Sequence, residues 1–288
     1  MTDDAPALAL RGRRALEYLH SMIYFAPEQE QQLTAIGLRP GRMGYFASRS
    51  AAMGAVTPAV VTATFYNFSP ALVARHIPAA WALASPSEVL VARLAAVDAA
   101  LRRLLGPELL ASPGVAEAAD LARIATEACE PAGRVLYAAH ADLDWPEAAH
   151  LRLWHAVTLL REHRGDGHIA ALLAHDLNGI DAIVTHTATG DGFVEEAARR
   201  LRGWSEDEWA ASITRLRERG LVAEDGLALT DQGRELRDSV EADTDRMGAG
   251  PWRWLGSGRA ERLIALGRPL SRQVAVSGAF PPGVFAGR

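Results

Sequence analysis

The sequence predicts a mainly helical protein with one small β-ribbon near its C-terminal end. Apolar residues recur at helical spacing through most of the chain, and alternation with period two is almost absent before residue 220. Prolines directly after a small polar residue, a pattern typical of helix starts, occur at short intervals along the chain. Hydrophobic residues make up 49% of the 288 residues, which is enough to bury a substantial core.

Composition excludes several classes of protein. The length favours two domains. A single cysteine excludes an intramolecular disulfide and a zinc site built on several thiolates. All 30 basic residues are arginines, which excludes lysine Schiff bases and P-loop lysines. No apolar run approaches the roughly 18–20 residues that span a bilayer, and the opening residues MTDD lack the features of a secretory signal. We therefore expect a cytoplasmic protein without a membrane partner.

The N-terminal helical domain is predicted over residues 1–145. Thr57-Pro58 and Ser69-Pro70 each pair an N-cap residue with proline at the first helical position. Residues 42–54 have no clean period and predict a short helix or a loop packed against the core. The predicted helices cover about residues 13–24, 27–36, 57–68, 70–81, 87–105 and 113–129.

Residues 146–177 are predicted to form a connecting long helix and a polar turn. Pro146 opens a helix that runs to about His163, with apolar side chains spaced for one buried side. The polar segment REHRGDGH at residues 161–168 then spans the end of this helix and the start of the next. Asp166 is expected to cap the second helix, because the glycines on either side of it permit tight turns.

Residues 178–247 form the clearest unit. A short amphipathic helix over residues 193–201 precedes the capping box SEDE at 205–208 and a helix over 206–219. Two short strands follow around a turn at 224–226, and Thr230 caps a last helix. This order of elements is that of a winged helix-turn-helix.

Two resemblances rest on these motifs. The segments LRERGLV at 216–222 and LTDQG at 229–233 resemble MarR-like regulators, which implies a winged helix. The whole chain resembles a helix-turn-helix-like family of actinobacterial proteins through SRS at 48–50, FYNF at 65–68 and the segment at 161–168. That resemblance supports the architecture and implies no mechanism. Residues 248–288 are predicted to be an arm that crosses to the partner subunit of a homodimer, or a frayed terminus after one more helix.

Charge opposes DNA binding by this unit. Residues 178–247 hold 9 arginines and 16 acidic residues, whereas non-specific affinity for a duplex depends on cations that neutralise phosphates. The expected recognition helix opens with three acidic residues at 206–208, and the tip of the expected wing is Glu224-Asp225. DNA is therefore a disfavoured partner, although three arginines between 215 and 219 could still contact a backbone.

The first candidate site lies around the predicted polar turn. His155, Glu162 and His163 lie close along one helix, and His168 follows near the start of the next. Together they could supply a general acid and base near neutral pH. The alternative is that these histidines only cap helix carbonyls. No metal site is expected, because no His-x-x-x-His pair is present.

The second candidate site combines Ser48-Arg49-Ser50 with Tyr66 and Asn67. The arginine could hold a ligand carboxylate bidentately, and the tyrosine and asparagine could add hydrogen bonds inside an apolar pocket. The alternative is a buried arginine that binds helix-end carbonyls beside core aromatic residues.

The leading hypothesis is a small-molecule-binding protein or cofactor-independent enzyme that acts on an organic metabolite, on a winged-helix scaffold that does not bind DNA. No nucleotide-binding or nucleophile-elbow motif is present, so no cofactor is expected. The alternatives are a ligand-responsive MarR-like transcription regulator and a purely structural or interaction module. The predicted catalytic residues are His163, His168 and Glu162, and the predicted substrate-binding residues are Arg49, Ser48, Tyr66, Asn67, His155 and Asp166.

Overall fold

The computed structural model describes residues 4–190 and 192–280, most of which lie in helices. In chain order these are α1 (Ala5–Ser21), α2 (Pro27–Ala35), α3 (Arg42–Ser50), α4 (Pro58–Phe65), α5 (Pro70–Ala74), α6 (Pro86–Leu105), α7 (Pro107–Leu110), α8 (Pro113–Thr126), α9 (Val135–Ala141), α10 (Ala149–Ala174), α11 (Gly179–Thr187), α12 (Glu195–Arg202), α13 (Glu206–Glu218), α14 (Asp231–Gly248), α15 (Gly250–Leu255) and α16 (Ser257–Val276). Short 3₁₀ helices cover Met22–Tyr24, Ala51–Met53 and Ala79–Ala82.

The described residues divide into two compact units, and each unit draws on separate stretches of the chain. Unit 1 holds the described residues within 1–56, 78–167 and 245–280. Unit 2 holds those within 57–77 and 168–244. The end of the predicted C-terminal arm, residues 281–288, lies outside the described residues.

The core of unit 1 joins the two ends of the chain. Helix α1 packs along α16, and Leu16, Leu263 and many alanines are buried between the helices. Gly267 of α16 allows this approach, because a Cβ at this position would lie 2.4 Å from Leu16 Cδ2. Gly12 allows α15 to pack on α1 in the same way, because a Cβ there would lie 1.9 Å from the ring of Trp252. Residues 250–276 therefore form two helices of this core.

Helix α10 continues without a break through the segment that was predicted to contain a polar turn. Both glycines of the segment have helical backbone, and a Cβ on Gly167 would lie 2.7 Å from Arg134 Nη1. Gly167 therefore makes room for a guanidinium group and does not turn the chain. Asp166 caps no helix within α10, and the predicted helix start at this residue is wrong.

Unit 2 contains two helices joined by a tight turn. Helix α12 ends at Gly203, whose φ of 74° is in the left-handed region, and α13 begins after the N-cap Ser205. The predicted capping box is confirmed, since Ser205 and Glu208 exchange side-chain to backbone hydrogen bonds. A pair of helices with a short glycine-containing turn is the helix-turn-helix geometry.

The predicted β-ribbon is wrong. Among residues 4–190 and 192–280 no strand is present, and Val222 and Leu229 form one isolated antiparallel bridge. Two backbone hydrogen bonds close the loop, from Ala223 N to Ala228 O at 2.9 Å and from Thr230 N to Leu221 O at 3.1 Å. The arms are too short for a ladder, because Leu221 N already bonds to the end of α13 at Leu216 O. Unit 2 is therefore a helix-turn-helix without a wing.

Among the described residues, no single helix is both long and apolar enough to cross a membrane. The segments Pro70–Ala82 and Pro86–Leu105 meet these criteria only as a bent pair, by length and composition alone.

Candidate functional site

The arginines of α13 are engaged within unit 2. Each donates to an acceptor that holds neighbouring chain in place, so these side chains serve the local fold. The bonds run from Arg215 Nη2 to Asp181 Oδ1 at 2.8 Å, from Arg217 Nε to Ala223 O at 2.9 Å and from Arg219 Nη1 to Asp176 O at 2.7 Å.

The outward surface of the helix-turn-helix is acidic. Glu206 and Asp207 are exposed in the first turn of α13, where a recognition helix would meet base edges and phosphates. Glu224 and Asp225 are exposed at the tip of the loop that follows. Residues 57–77 and 168–244 together hold 9 arginines and 16 acidic residues. This surface repels a polyanion.

An open groove of about 530 Å³ lies beside the turn that joins α12 to α13. Arg199 and Arg200 line it together with Glu196 and Glu208. Arg199 already forms an ion pair with Glu206 at 3.0 Å. The balanced charges give this groove no preference for phosphates.

Unit 1 contains a buried ionic site centred on Glu162, whose side chain is 1% exposed. Arg49 binds its carboxylate with two hydrogen bonds, from Nε at 3.3 Å and from Nη2 at 2.8 Å. Arg161 Nη1 adds a bond at 3.2 Å, and its Nε reaches Glu17 at 3.4 Å. Burial alone would raise the pKa of Glu162, but Arg49 and Arg161 hold it well below the usual range. Glu162 is therefore a fixed anion.

His20 adds a neutral hydrogen-bond relay beside this ionic site. Thr158 Oγ1 donates to Trp154 O at 2.8 Å, so the same hydroxyl accepts from His20 Nδ1 at 3.0 Å. His20 Nε2 then accepts from the Tyr24 hydroxyl at 2.9 Å. Burial keeps the pKa of His20 well below its ordinary value, so the ring stays neutral.

Arg93 is a buried cation on α6, only 3% exposed. Its Nη1 lies 2.9 Å from His140 Nε2, and His140 Nδ1 lies 2.8 Å from Leu136 O. A carbonyl only accepts, so His140 carries its proton on Nδ1 and accepts from Arg93 on Nε2. Burial lowers the pKa of His140 to about 3, which keeps this ring neutral as well. We call the following set the inner cluster: Glu17, His20, Arg49, Arg93, His140, Arg161 and Glu162.

Arg93 remains incompletely satisfied. Its Nε and Nη2 are buried and have no hydrogen-bond partner among residues 4–190 and 192–280. The Trp154 ring centroid lies 4.9 Å from Arg93 Cζ, and the buried Trp154 Nε1 and His155 Nε2 also have no hydrogen-bond partner within those residues. Burial, with a smaller contribution from the Arg93 charge, lowers the pKa of His155 to about 4.

The predicted acid–base residues are not gathered into one reactive group. The ring of His163 packs edge-on against Tyr137 at 5.2 Å, and burial lowers its pKa to about 4. Glu162 binds arginines and forms no hydrogen bond with His163. His168 belongs to unit 2, where its Nδ1 contacts Thr244 Oγ1 at 2.9 Å.

Asp166 and Arg134 organise the start of α9. Asp166 Oδ2 accepts from Tyr137 N at 2.9 Å, and Arg134 donates to the carbonyls of His163 and Met247. Burial raises the pKa of Asp166 to about 6. These residues fix the local backbone of unit 1.

The second predicted site is divided between the units. Ser48 is buried and donates to Tyr45 O at 3.4 Å, so it does not flank a ligand of Arg49. Tyr66 and Asn67 belong to unit 2, where the Tyr66 hydroxyl donates to Leu177 O and Asn67 O accepts from an indole nitrogen. Within unit 1, the structure instead joins Arg49 of this site to Glu162 of the first site.

Sequence reasoning missed the arginine at the centre of unit 1. Arg93 lies four residues after the buried Val89 and four before the buried Val97, so the pattern placed it on the apolar face of α6. An arginine on such a face is a usable signal, because arginine is seldom fully buried unless it is paired. No group of three or more possible metal ligands is present among the described residues.

Comparison with known proteins gives one match. Residues 9–281 match the family described as "Helix-turn-helix family". No curated protein and no solved structure matches the chain.

Proposed function

Because the chain belongs to the Helix-turn-helix family, we propose that it is a small-molecule-binding protein whose ligand is a small organic anion held in unit 1. Its helix-turn-helix serves as a scaffold and does not bind DNA. The observation that carries the proposal is the inner cluster, in which three arginines face two glutamates while both histidines are neutral.

The inner cluster is costly for a purely structural element. Burying a charge away from water is unfavourable unless the charge is closely paired with an opposite one. A buried arginine in excess of the buried carboxylates is therefore stabilised by binding an anion. Perturbed titratable groups that converge in one place are also typical of functional sites. Arg161 and Glu17 keep 31% and 33% of their side chains exposed, so this side of the inner cluster is in contact with solvent.

Acid–base catalysis by His163 and His168 is not part of the proposal. Glu162 is occupied by Arg49 and Arg161 and cannot also orient an imidazole. Positions 163 and 168 on α10 differ by five residues, or about 140° around the helix axis. Ligand binding requires neither histidine to transfer a proton.

The test is a thermal-shift screen with pairs of organic anions and their neutral amides, at constant ionic strength. Anions should raise the melting temperature of the wild-type protein, and their amides should not. Arg161→Gln should weaken the apparent affinity at least tenfold, whereas Arg152→Gln, on the same helix and bonded to Glu147 O, should leave it unchanged. A screen without any anion-specific stabilisation contradicts the proposal.

A second candidate, a ligand-responsive transcription regulator that is MarR-like in its helix-turn-helix, is favoured by the geometry of α12 and α13 and by the family. A gel shift with genomic DNA from around its own gene, repeated across salt concentrations, separates the two candidates. Tight binding that weakens steeply with salt would establish the regulator. We expect no binding, because the first turn of α13 is acidic and its arginines are engaged.

A further inference from the structure

Arg93 presents one particular edge without a partner. Its Nη1 is taken by the neutral His140, which leaves Nε and Nη2 as buried donors. These two N–H groups point in parallel from one side of the planar guanidinium group, a geometry that matches the two oxygens of a carboxylate.

The same edge binds carboxylates elsewhere in this chain. Three arginines of unit 1 use Nε and Nη2 together to hold the two oxygens of one glutamate. The pairs are Arg49 with Glu162, Arg103 with Glu28 and Arg262 with Glu117. Arg93 thus has the carboxylate-binding edge of these arginines, but no glutamate or aspartate among the described residues pairs with it.

No group around Arg93 among the described residues neutralises its positive charge. Glu162, the nearby carboxylate that acts on Arg93, already binds Arg49 and Arg161. The guanidinium group does not lose its proton in proteins, so it cannot escape the cost of burial by becoming neutral. The face of the Trp154 ring, 4.9 Å from Cζ, contributes a weaker cation–π attraction.

We propose, building on the function proposed above, that the ligand is an organic monocarboxylate and that Arg93 anchors it through Nε–H and Nη2–H. The indole N–H of Trp154, whose ring centroid lies 4.9 Å from Arg93 Cζ, is a buried donor without a partner among the described residues and supplies a third hydrogen bond to the ligand. Arg93 determines the chemical class of the ligand.

The test uses acetate and benzoate as probes, with acetamide, benzamide and sodium chloride at matched ionic strength. Affinities come from thermal shift and from tryptophan fluorescence titration. Arg93→Lys keeps the charge but removes the two-pronged edge, and it should weaken benzoate binding at least tenfold. Arg103→Lys is the matched control on the same helix, because Glu28 already fills its edge; it should bind benzoate as the wild type does.

A second measurement does not depend on whether the Arg93 variant folds. In wild-type protein labelled with ¹⁵N-arginine, benzoate should shift the Nε–H resonance of Arg93, and benzamide should not. Trp154→Phe keeps an aromatic ring at this position and removes the indole N–H together with the five-membered ring, so it should weaken binding severalfold.

The outcomes separate this inference from the proposed function. If an anion binds and Arg161→Gln weakens it, but Arg93→Lys has no effect, the anchor is wrong and the proposed function stands. Equal responses to chloride and carboxylates, or no response of the Arg93 resonance to benzoate, also contradict the anchor. If no organic anion of any class binds the wild-type protein, the proposed function fails with it.

Discussion

The inner cluster of unit 1 and the helix-turn-helix of unit 2 use arginine in opposite ways. Unit 1 places arginines in its interior, where Arg49 and Arg93 meet glutamate, histidine and tryptophan side chains. Unit 2 keeps the arginines of α13 near the surface, where they mainly bind backbone carbonyls, and leaves many acids in solvent. The strong electrostatic interactions therefore lie in unit 1, while the exposed charges of the helix-turn-helix are screened by water.

The largest effect that tests this comparison is loss of stability in acid. Burial lowers the pKa values of four histidines of unit 1, those of His140, His155 and His163 to between about 3 and 4 and that of His20 well below its ordinary value. The unfolded chain, with ordinary histidine pKa values near 6.5, binds protons first as the pH falls. Stability contributed by these rings is complete above pH 6.5 and is lost progressively below it.

Asp166 acts in the opposite direction. Its pKa of about 6 in the folded state exceeds the ordinary value, so its protonation stabilises the fold as the pH falls below 6. Each group approaches a slope of about 1.4 kcal/mol per pH unit only below its titration midpoint, so the four histidines, less Asp166, give a net loss of about 5 kcal/mol from pH 6.5 to 5. Urea unfolding at a series of pH values measures it. His155→Phe should flatten the slope by about 1.4 kcal/mol per pH unit. Stability that is constant from pH 7 to 5 would refute the buried neutral histidines.

The second largest effect is expected for Glu162→Gln. The change removes the anion that Arg49 and Arg161 share and leaves buried charge uncompensated, at a cost of about 4 kcal/mol. The free energy of unfolding in urea measures the loss. The matched control is Glu17→Gln, whose carboxylate is one-third exposed and should cost under about 1 kcal/mol. Equal losses for both variants would mean that Glu162 is effectively solvated.

Much of the scaffold could be predicted from the sequence, because local signals specify it. The capping box at Ser205 and the following glycine placed α13 within one residue of its observed end. The same local reasoning misread Gly167, because a glycine that accommodates the distant Arg134 looks in sequence like a turn. The start of α1 was missed for a related reason, since Gly12 is required by its packing against Trp252.

The candidate site could be predicted only in fragments. Arg49 was predicted to bind a ligand carboxylate and Glu162 to act beside histidines, in two separate sites. The two residues lie 113 positions apart, and their pairing leaves no periodic pattern in the sequence. The prediction of a β-ribbon was wrong although the residue types suit strands. The hydrogen bonds at both ends of the loop leave room for one bridge only among the described residues. Sequence patterns record which face is buried, and they do not record which charges meet there.

A third prediction tests a buried acid beneath α13. Asp181 is 4% exposed and accepts from the Ser212 hydroxyl and from Arg215. Asp181→Asn should cost about 2 kcal/mol, because it removes the charge from one of these bonds and disturbs the other. The exposed Asp207→Asn on the same helix-turn-helix should cost nothing measurable. If Asp181→Asn were as costly as Glu162→Gln, the difference between the units in electrostatic strength would disappear.

The smallest expected effect compares two matched capping boxes, one in each unit. Ser85 and Glu88 at the start of α6 are joined by backbone bonds of 2.8 and 3.3 Å, and Ser205 and Glu208 at the start of α13 by bonds of 2.9 and 3.2 Å. Ser205 is exposed and Ser85 is half-buried, and neither lies in a core, so Ser85→Ala and Ser205→Ala should each lower the free energy of unfolding by about 1 kcal/mol. Urea unfolding of the two variants side by side measures the difference. If the two variants lose equal free energy of unfolding, the contrast between the units lies in their interiors. If Ser85→Ala costs several times more than Ser205→Ala, unit 1 is more sensitive to substitution at its helix ends as well as at its buried charges.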